Sequence, residues 1–255
     1  MNYGIQLFSL RKYLKSSSDY RKVFARAKDL GAQTVQLSAT MGFVPEASLI
    51  KELSNEFSLP ICCSHSPFSR IENDLDNLAK EHLEYSCKVM GIGMMPKRFR
   101  TGKLQDLLSF ISIVNKSAES LSKYGIKIAY HNHWFEFDEI EGKTIFDRLI
   151  DDTLPDVEFI PDTFWIKVGK NDPATFLKKL EGRVSTIHLK DYCKILNLPI
   201  FRAVGKGNLD FIDIIDTATS IGAKNAVVEL DFSPNPWKSI ETSLDFLVQQ
   251  RLLLK

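Results

Sequence analysis

The sequence predicts an α/β fold: a closed (β/α)8 barrel of the TIM type, one domain over residues 1–255. Two observations predict it. Short apolar stretches alternate with longer amphipathic ones, and the alternation recurs eight times along the chain. The repeat is about 30 residues, the size of a parallel strand with its crossover helix. An open doubly wound sheet would carry a glycine fingerprint after its first strand, but Ser9-Leu10-Arg11 stands there. Gly205-Lys206-Gly207 is a lone GxG far from any early strand–helix junction.

The expected strands are 3–8 (YGIQLF), 33–38 (QTVQLS), 59–65 (LPICCSH), 92–95 (IGMM), 126–131 (IKIAYH), 157–161 (VEFIP), 184–189 (VSTIHL) and 225–230 (NAVVEL). Helical spacing puts Tyr20, Val23, Phe24, Ala27 and Leu30 on one face, and likewise Leu107, Phe110, Ile111, Val114, Ala118 and Leu121. Gly31, Gly91, Gly125 and Gly222 are expected just after helices, where a left-handed residue closes the last turn. Residues 191–210, after the seventh strand, read as a lid or rim of the barrel mouth.

Bulk properties narrow the function. Net charge is +1, from 33 basic and 32 acidic residues, which argues against a protein that grips nucleic acid. The four cysteines include no CxxC pair, so they are expected to be free thiols in a reducing compartment. No apolar run approaches ~20 residues and the start shows no signal core, so the expectation is a cytoplasmic protein with no membrane partner. Leu252, Leu253 and Leu254 are expected to pack on the barrel base or on a second subunit of a homo-oligomer.

Chemistry concentrates at strand ends, where ligand-contacting residues of β/α proteins gather. Asp162 ends strand six, His188 strand seven and Glu229 strand eight, and His131 ends strand five within His131-Asn132-His133-Trp134-Phe135-Glu136-Phe137. Imidazole with carboxylates suits Mn²⁺, Co²⁺, Zn²⁺ or Mg²⁺ and leaves positions open for substrate oxygens. Whether His131 or His133 faces the metal, and whether Glu136 reaches back over the pocket, stays open at this point. His65, ending strand three, is a candidate substrate contact, and His82 sits in a helical pattern as a structural residue. Gln6 and Gln36 either bind substrate hydroxyls or are satisfied within the wall. Lys190, Arg202 and Lys206 are candidates for a phosphate or carboxylate. Trp134, Trp165, Phe8 and Phe68 offer aromatic faces to a sugar ring or pack at the rim.

The segments Gly4–Arg11, HNHWFEF, PDTFW with Gly169 and Asn171-Asp172-Pro173, HLKD, Val204–Phe211 and VVELD together resemble the sugar phosphate isomerase/epimerase group of the xylose isomerase-like TIM-barrel superfamily. The resemblance runs from residue 4 to about residue 245, with the motifs in the family's order. It implies a metal-dependent enzyme that isomerises, epimerises or dehydrates sugars, keto-sugars or inositol derivatives. It implies a Glu, Asp, His, Glu ligand set from strands five to eight. Asp162, His188 and Glu229 match in type, while His131 stands where the strand-five Glu usually stands. Trp165 stands where some epimerases carry a substrate-binding His, and Gln36 where many relatives carry a carboxylate.

The function expected is therefore proton abstraction next to a carbonyl through an enediolate, with a divalent ion as cofactor and a sugar or sugar phosphate as substrate. Glu229 is the first candidate base, with His131 or Glu136 on the opposite side and Lys190 stabilising developing negative charge. His65, Gln6, His133, Trp165 and Arg202 are the candidate substrate contacts. A non-catalytic sugar-binding barrel and an abasic-site endonuclease are the alternatives. Five histidines and the +1 charge speak against the endonuclease, which needs a many-histidine zinc cluster and a basic face.

Overall fold

The computed structural model describes residues 1–39 and 42–253, with side chains described to residue 250. Eight parallel strands form the barrel: β1 (Asn2–Gln6), β2 (Thr34–Ser38), β3 (Ile61–Ser66), β4 (Val89–Ile92), β5 (Lys127–His131), β6 (Glu158–Ile160), β7 (Thr186–Leu189) and β8 (Asn225–Val228). They pair in the order β6-β5-β4-β3-β2-β1-β8-β7. The ring closes between β6 and β7 through a parallel bridge of Asp162 with His188, where the His188 N–H donates to the Pro161 carbonyl at 2.9 Å. The closure thus sets two candidate ligands side by side.

The helices form where the sequence supplies both a cap and an apolar stripe. Ser16 accepts from the Asp19 N–H and starts the helix Ser17–Asp29, which buries Tyr20, Val23, Phe24 and Ala27. The helix Leu104–Ser122 buries the expected stripe from Leu107 to Leu121. Most apolar burial lies in this layer between strands and helices. A smaller cluster of Cys63, Val89, Ala129 and Ile160 stands apart from it. Side chains alternate across a strand, so these four fill the barrel interior, and residues two further on point the same way toward the mouth. That rule carries Cys63 to His65, Ala129 to His131 and Ile160 to Asp162.

Three expectations need correction. Strand four runs Val89–Ile92 and not 92–95, so Gly91 is a wall residue and not a helix cap. A Cβ on Gly91 would lie 2.2 Å from the Ser64 carbonyl oxygen, so glycine is required by close strand approach. The left-handed residue after the preceding helix is Ser86, at φ 59°, whereas Gly31, Gly125 and Gly222 do adopt positive φ. Strand one ends at Gln6 and gives way to a 3-10 turn, Leu7–Tyr13, capped by the Gln6 side chain.

After β7 the chain makes an antiparallel ribbon, Asp191–Ile195 with Leu198–Arg202. The Asp191 carboxylate accepts from the N–H groups of Tyr192, Gly207 and Leu209 at 2.7, 2.6 and 3.2 Å, which folds the GKGN segment back onto the rim. Among the described residues no helix is long and apolar enough to cross a membrane. All four cysteines are free. The side chains of Leu252 and Leu253, and all of Leu254, lie outside the described residues.

Candidate active site

The four strand-end residues His131, Asp162, His188 and Glu229 meet at the barrel mouth. All are buried, and one ligand atom from each lies within 4.8 Å of the others. Their second atoms show how each is aimed. Nδ1 of His131 donates to the Gly93 carbonyl at 3.1 Å, which leaves the Nε2 lone pair 3.3 Å from Asp162 Oδ2. Nε2 of His188 donates to Gln36 Oε1 at 2.7 Å, which leaves its Nδ1 lone pair facing Glu229. Oδ1 of Asp162 caps the next helix at the Trp165 N–H, 3.0 Å away, and frees Oδ2 for the site. His188 Nδ1 lies 2.7 Å from Glu229 Oε2, and the same oxygen faces the Lys190 ammonium at 2.8 Å. Imidazole nitrogens and carboxylate oxygens that converge in this way fit donors that share a cation. The group is a buried two-histidine, two-carboxylate set able to hold a divalent metal.

Lys190 completes the electrostatics. Its buried ammonium lies 2.8 Å from Glu229 Oε2, 3.0 Å from Asp162 Oδ2 and 2.8 Å from Asp231 Oδ1. Burial opposes its charge, but Asp162, Asp231 and Glu229 outweigh burial and raise its pKa. Burial likewise pushes the Glu229 carboxyl up, and the Lys190 ammonium with His188 more than reverses this, holding it well below the usual carboxylate range. Asp231 is pushed up by burial to about 6. Burial, then the neighbouring His188 and Lys190, drives the His131 imidazole well below its ordinary value and keeps it neutral, as a ligand must be.

Above the group opens a cavity of about 400 Å³ lined by Phe8, His65, Phe68, Met94, His133 and Asp231, with His131 and Glu229 on its floor. That size is ordinary for a small-molecule site, roughly 300–1,000 Å³. His131 therefore belongs to the group that could hold an ion, and His133 lines the cavity beside Trp165, with ring centroids 5.7 Å apart. Trp165 packs on Trp134, and the Lys190 ammonium lies 5.8 Å from the Trp165 ring centre. Gln6 reaches His65 at 3.3 Å, and both are buried.

Three candidates stand elsewhere. Glu136 is buried under the rim, accepting from the Tyr130 hydroxyl at 2.5 Å and the His133 N–H at 2.8 Å, and it does not line the cavity. Burial raises its pKa to about 7. Arg202 and Lys206 line a separate groove with Phe232 and Lys238. Leu230 and Phe232 face that groove, whereas Glu229 and Asp231 face the cavity, so the chain after β8 divides the two. His82 is structural: its ring bonds Ser64 Oγ at 2.8 Å and the Leu78 carbonyl at 2.7 Å. Sequence reading passed over Asp231 as a site residue. Its signal was the two-residue period that puts it on the face of Glu229.

A family model described as a xylose isomerase-like TIM barrel matches residues 24–250. The chain belongs to this family. A curated relative, an inosose dehydratase from Lactiplantibacillus plantarum, is 30% identical over 145 residues, 50% of this chain and 48% of the relative. The chain thus matches about half the length of that relative. A sugar phosphate isomerase/epimerase from Parabacteroides distasonis superposes with a TM-score of 0.81 at 22% identity, covering 96% of this chain and 93% of that one. A D-allulose 3-epimerase from Methylomonas sp., solved with D-allulose, superposes with a TM-score of 0.73 at 14% identity, covering 98% and 96%. At these identities the two solved structures show the shared barrel fold alone.

Proposed function

We propose that the protein is a divalent-metal-dependent isomerase or epimerase of sugars or keto-sugars that abstracts a proton next to a carbonyl. One observation carries this reading: two buried imidazoles and two buried carboxylates lie within 4.8 Å of one another, and two of the four, His131 and Glu229, line the cavity of about 400 Å³. His131, Asp162, His188 and Glu229 would hold the ion, which supplies Lewis-acid polarisation of the carbonyl. Glu229 is ionised and is the base that takes the C–H proton. Lys190, paired with both Glu229 and Asp162, offsets the negative charge that develops. Phe8, Phe68 and Met94 supply apolar walls for the ring face and exclude water. The strand-five position is a histidine, so one glutamate and not a pair serves as base.

The D-allulose bound to the structurally similar epimerase supports a keto-sugar. The inosose dehydratase relative favours a second reading, in which the same proton abstraction is followed by loss of water from the neighbouring carbon. The test is incubation in D₂O with Mn²⁺ and either D-allulose or an inosose, followed by NMR after metal removal. Deuterium at the carbon next to the carbonyl is expected, with a new double bond only if dehydration follows. Sugar binding without exchange would leave a non-catalytic polyol-binding barrel.

A further inference from the structure

We infer that Gln6 and His65 form a dyad that presents a neutral imidazole N–H to a substrate oxygen opposite the ligand group. The orientation follows from hydrogen bonds in sequence. The Phe8 N–H donates to Gln6 Oε1 at 3.2 Å, so the Gln6 amide nitrogen is the atom facing His65 Nδ1 at 3.3 Å. An amide nitrogen only donates, so Nδ1 accepts and the ring proton sits on Nε2. That Nε2 is buried and without a protein partner, and His65 lines the cavity. An orphaned donor at such a place is a costly feature unless a ligand satisfies it.

The ring occupies a built slot. A Cβ on Gly93 would lie 3.0 Å from His65 Nδ1, and one on Gly91 would lie 3.1 Å from its Cδ2. The His65 ring stands 5.0 Å from that of His131 and 5.3 Å from that of His188. His65 thus stands against two histidines of the group and carries an Nε2 hydrogen that no protein atom accepts.

The role rests on the proton-abstraction reading. The substrate C–H bond breaks, its proton passes to Glu229, and its electron pair forms a C=C bond as the carbonyl π pair moves onto oxygen. His65 keeps its proton and hydrogen-bonds that oxygen; the Glu229 carboxylic acid then returns the proton to the former carbonyl carbon, while the neighbouring hydroxyl gives its proton to the former carbonyl oxygen and becomes the new carbonyl. Gln6 is a positioning residue that acts through the tautomer of His65.

Long-range ¹⁵N–¹H NMR of the whole protein in Mg²⁺ buffer reads the tautomer directly. A protonated Nε2 is expected for His65, and Gln6→Glu, which can only accept from Nδ1–H, should reverse it. A protonated Nδ1 in the wild type, or no change in Gln6→Glu, would overturn the dyad. In D₂O exchange with D-allulose, His65→Leu should lower the rate about 10²–10³-fold, the usual loss of one oxyanion donor. His65→Gln, which keeps an N–H near the Nε2 position, should recover part of it. Wild-type exchange in His65→Leu would refute the catalytic role. If the wild type itself shows no exchange, the proton-abstraction reading falls. The dyad is then decided by whether D-allulose shifts the His65 Nε2–H resonance, and no shift rejects it.

Discussion

Replacing Lys190 with methionine removes the ammonium that faces Asp162, Glu229 and Asp231 at 2.8–3.0 Å. Methionine keeps the apolar stem but leaves two buried carboxylates, Asp162 and Glu229, and the partly exposed Asp231 without their counter-charge. Leaving buried charges uncompensated costs about 3–5 kcal/mol. At roughly 2–4 °C per kcal/mol for a chain of this size, the metal-free melting point should fall by about 6–20 °C. The carboxylates would respond by binding protons, so their folded pKa values rise above the unfolded ones. Stability of the variant should then drop as pH rises through that window, more steeply than in the wild type. A divalent ion supplies the missing charge, so Mn²⁺ should return most of the lost stability. The assay is thermal unfolding by circular dichroism in EDTA and in Mn²⁺, between pH 5.5 and 8. Equal melting of variant and wild type in EDTA would refute the counter-charge role. Loss that Mn²⁺ does not recover would refute the cation site itself.

Glu229→Gln should leave a folded barrel, because Lys190 keeps Asp162 and Asp231, while exchange next to the carbonyl falls about 10²–10⁴-fold; full exchange removes Glu229 as the base. His82, held by burial at about 4 against an ordinary 6.5, is protonated first in the unfolded chain as pH falls. It should therefore drain about 3 kcal/mol between pH 6.5 and 4. The urea midpoint of His82→Gln should fall less steeply over that range than the wild type's. Gly91→Ala drives a Cβ to 2.2 Å from the Ser64 carbonyl and should cost at least the roughly 1–3 kcal/mol of an overpacked core, read as a lowered denaturation midpoint.

Much of this was legible in the chain. Eight βα repeats gave the barrel, and the polar residue closing each of strands five to eight marked the ligand group, because one rule of alternation carries every strand from an interior residue to a mouth residue. Strand four was displaced because Ile92-Gly93-Met94-Met95 is as apolar as the true strand, and because a glycine forced by close strand approach reads like one that caps a helix. The choice between His131 and His133 depended on where β5 stops: His131 keeps the strand's alternation, and the Asn132 amide then bonds the Asp162 N–H and turns the chain. Glu136 read as a pocket carboxylate, but a turn, Phe135–Phe137, returns it to Tyr130. Arg202 read as a ligand cation, but the ribbon carries it to the far side of the segment after β8. Such displacements come from backbone turns, which side-chain type alone does not encode.

The central claim is that His131, Asp162, His188 and Glu229 are one metal site. Calorimetric titration of chelator-stripped protein with Mn²⁺ tests it most directly. The account predicts one ion per chain for the wild type and loss of that binding in Asp162→Ala, with the barrel's circular dichroism retained. A folded wild type that takes up no ion, or a folded Asp162→Ala that binds it as tightly, would contradict the account.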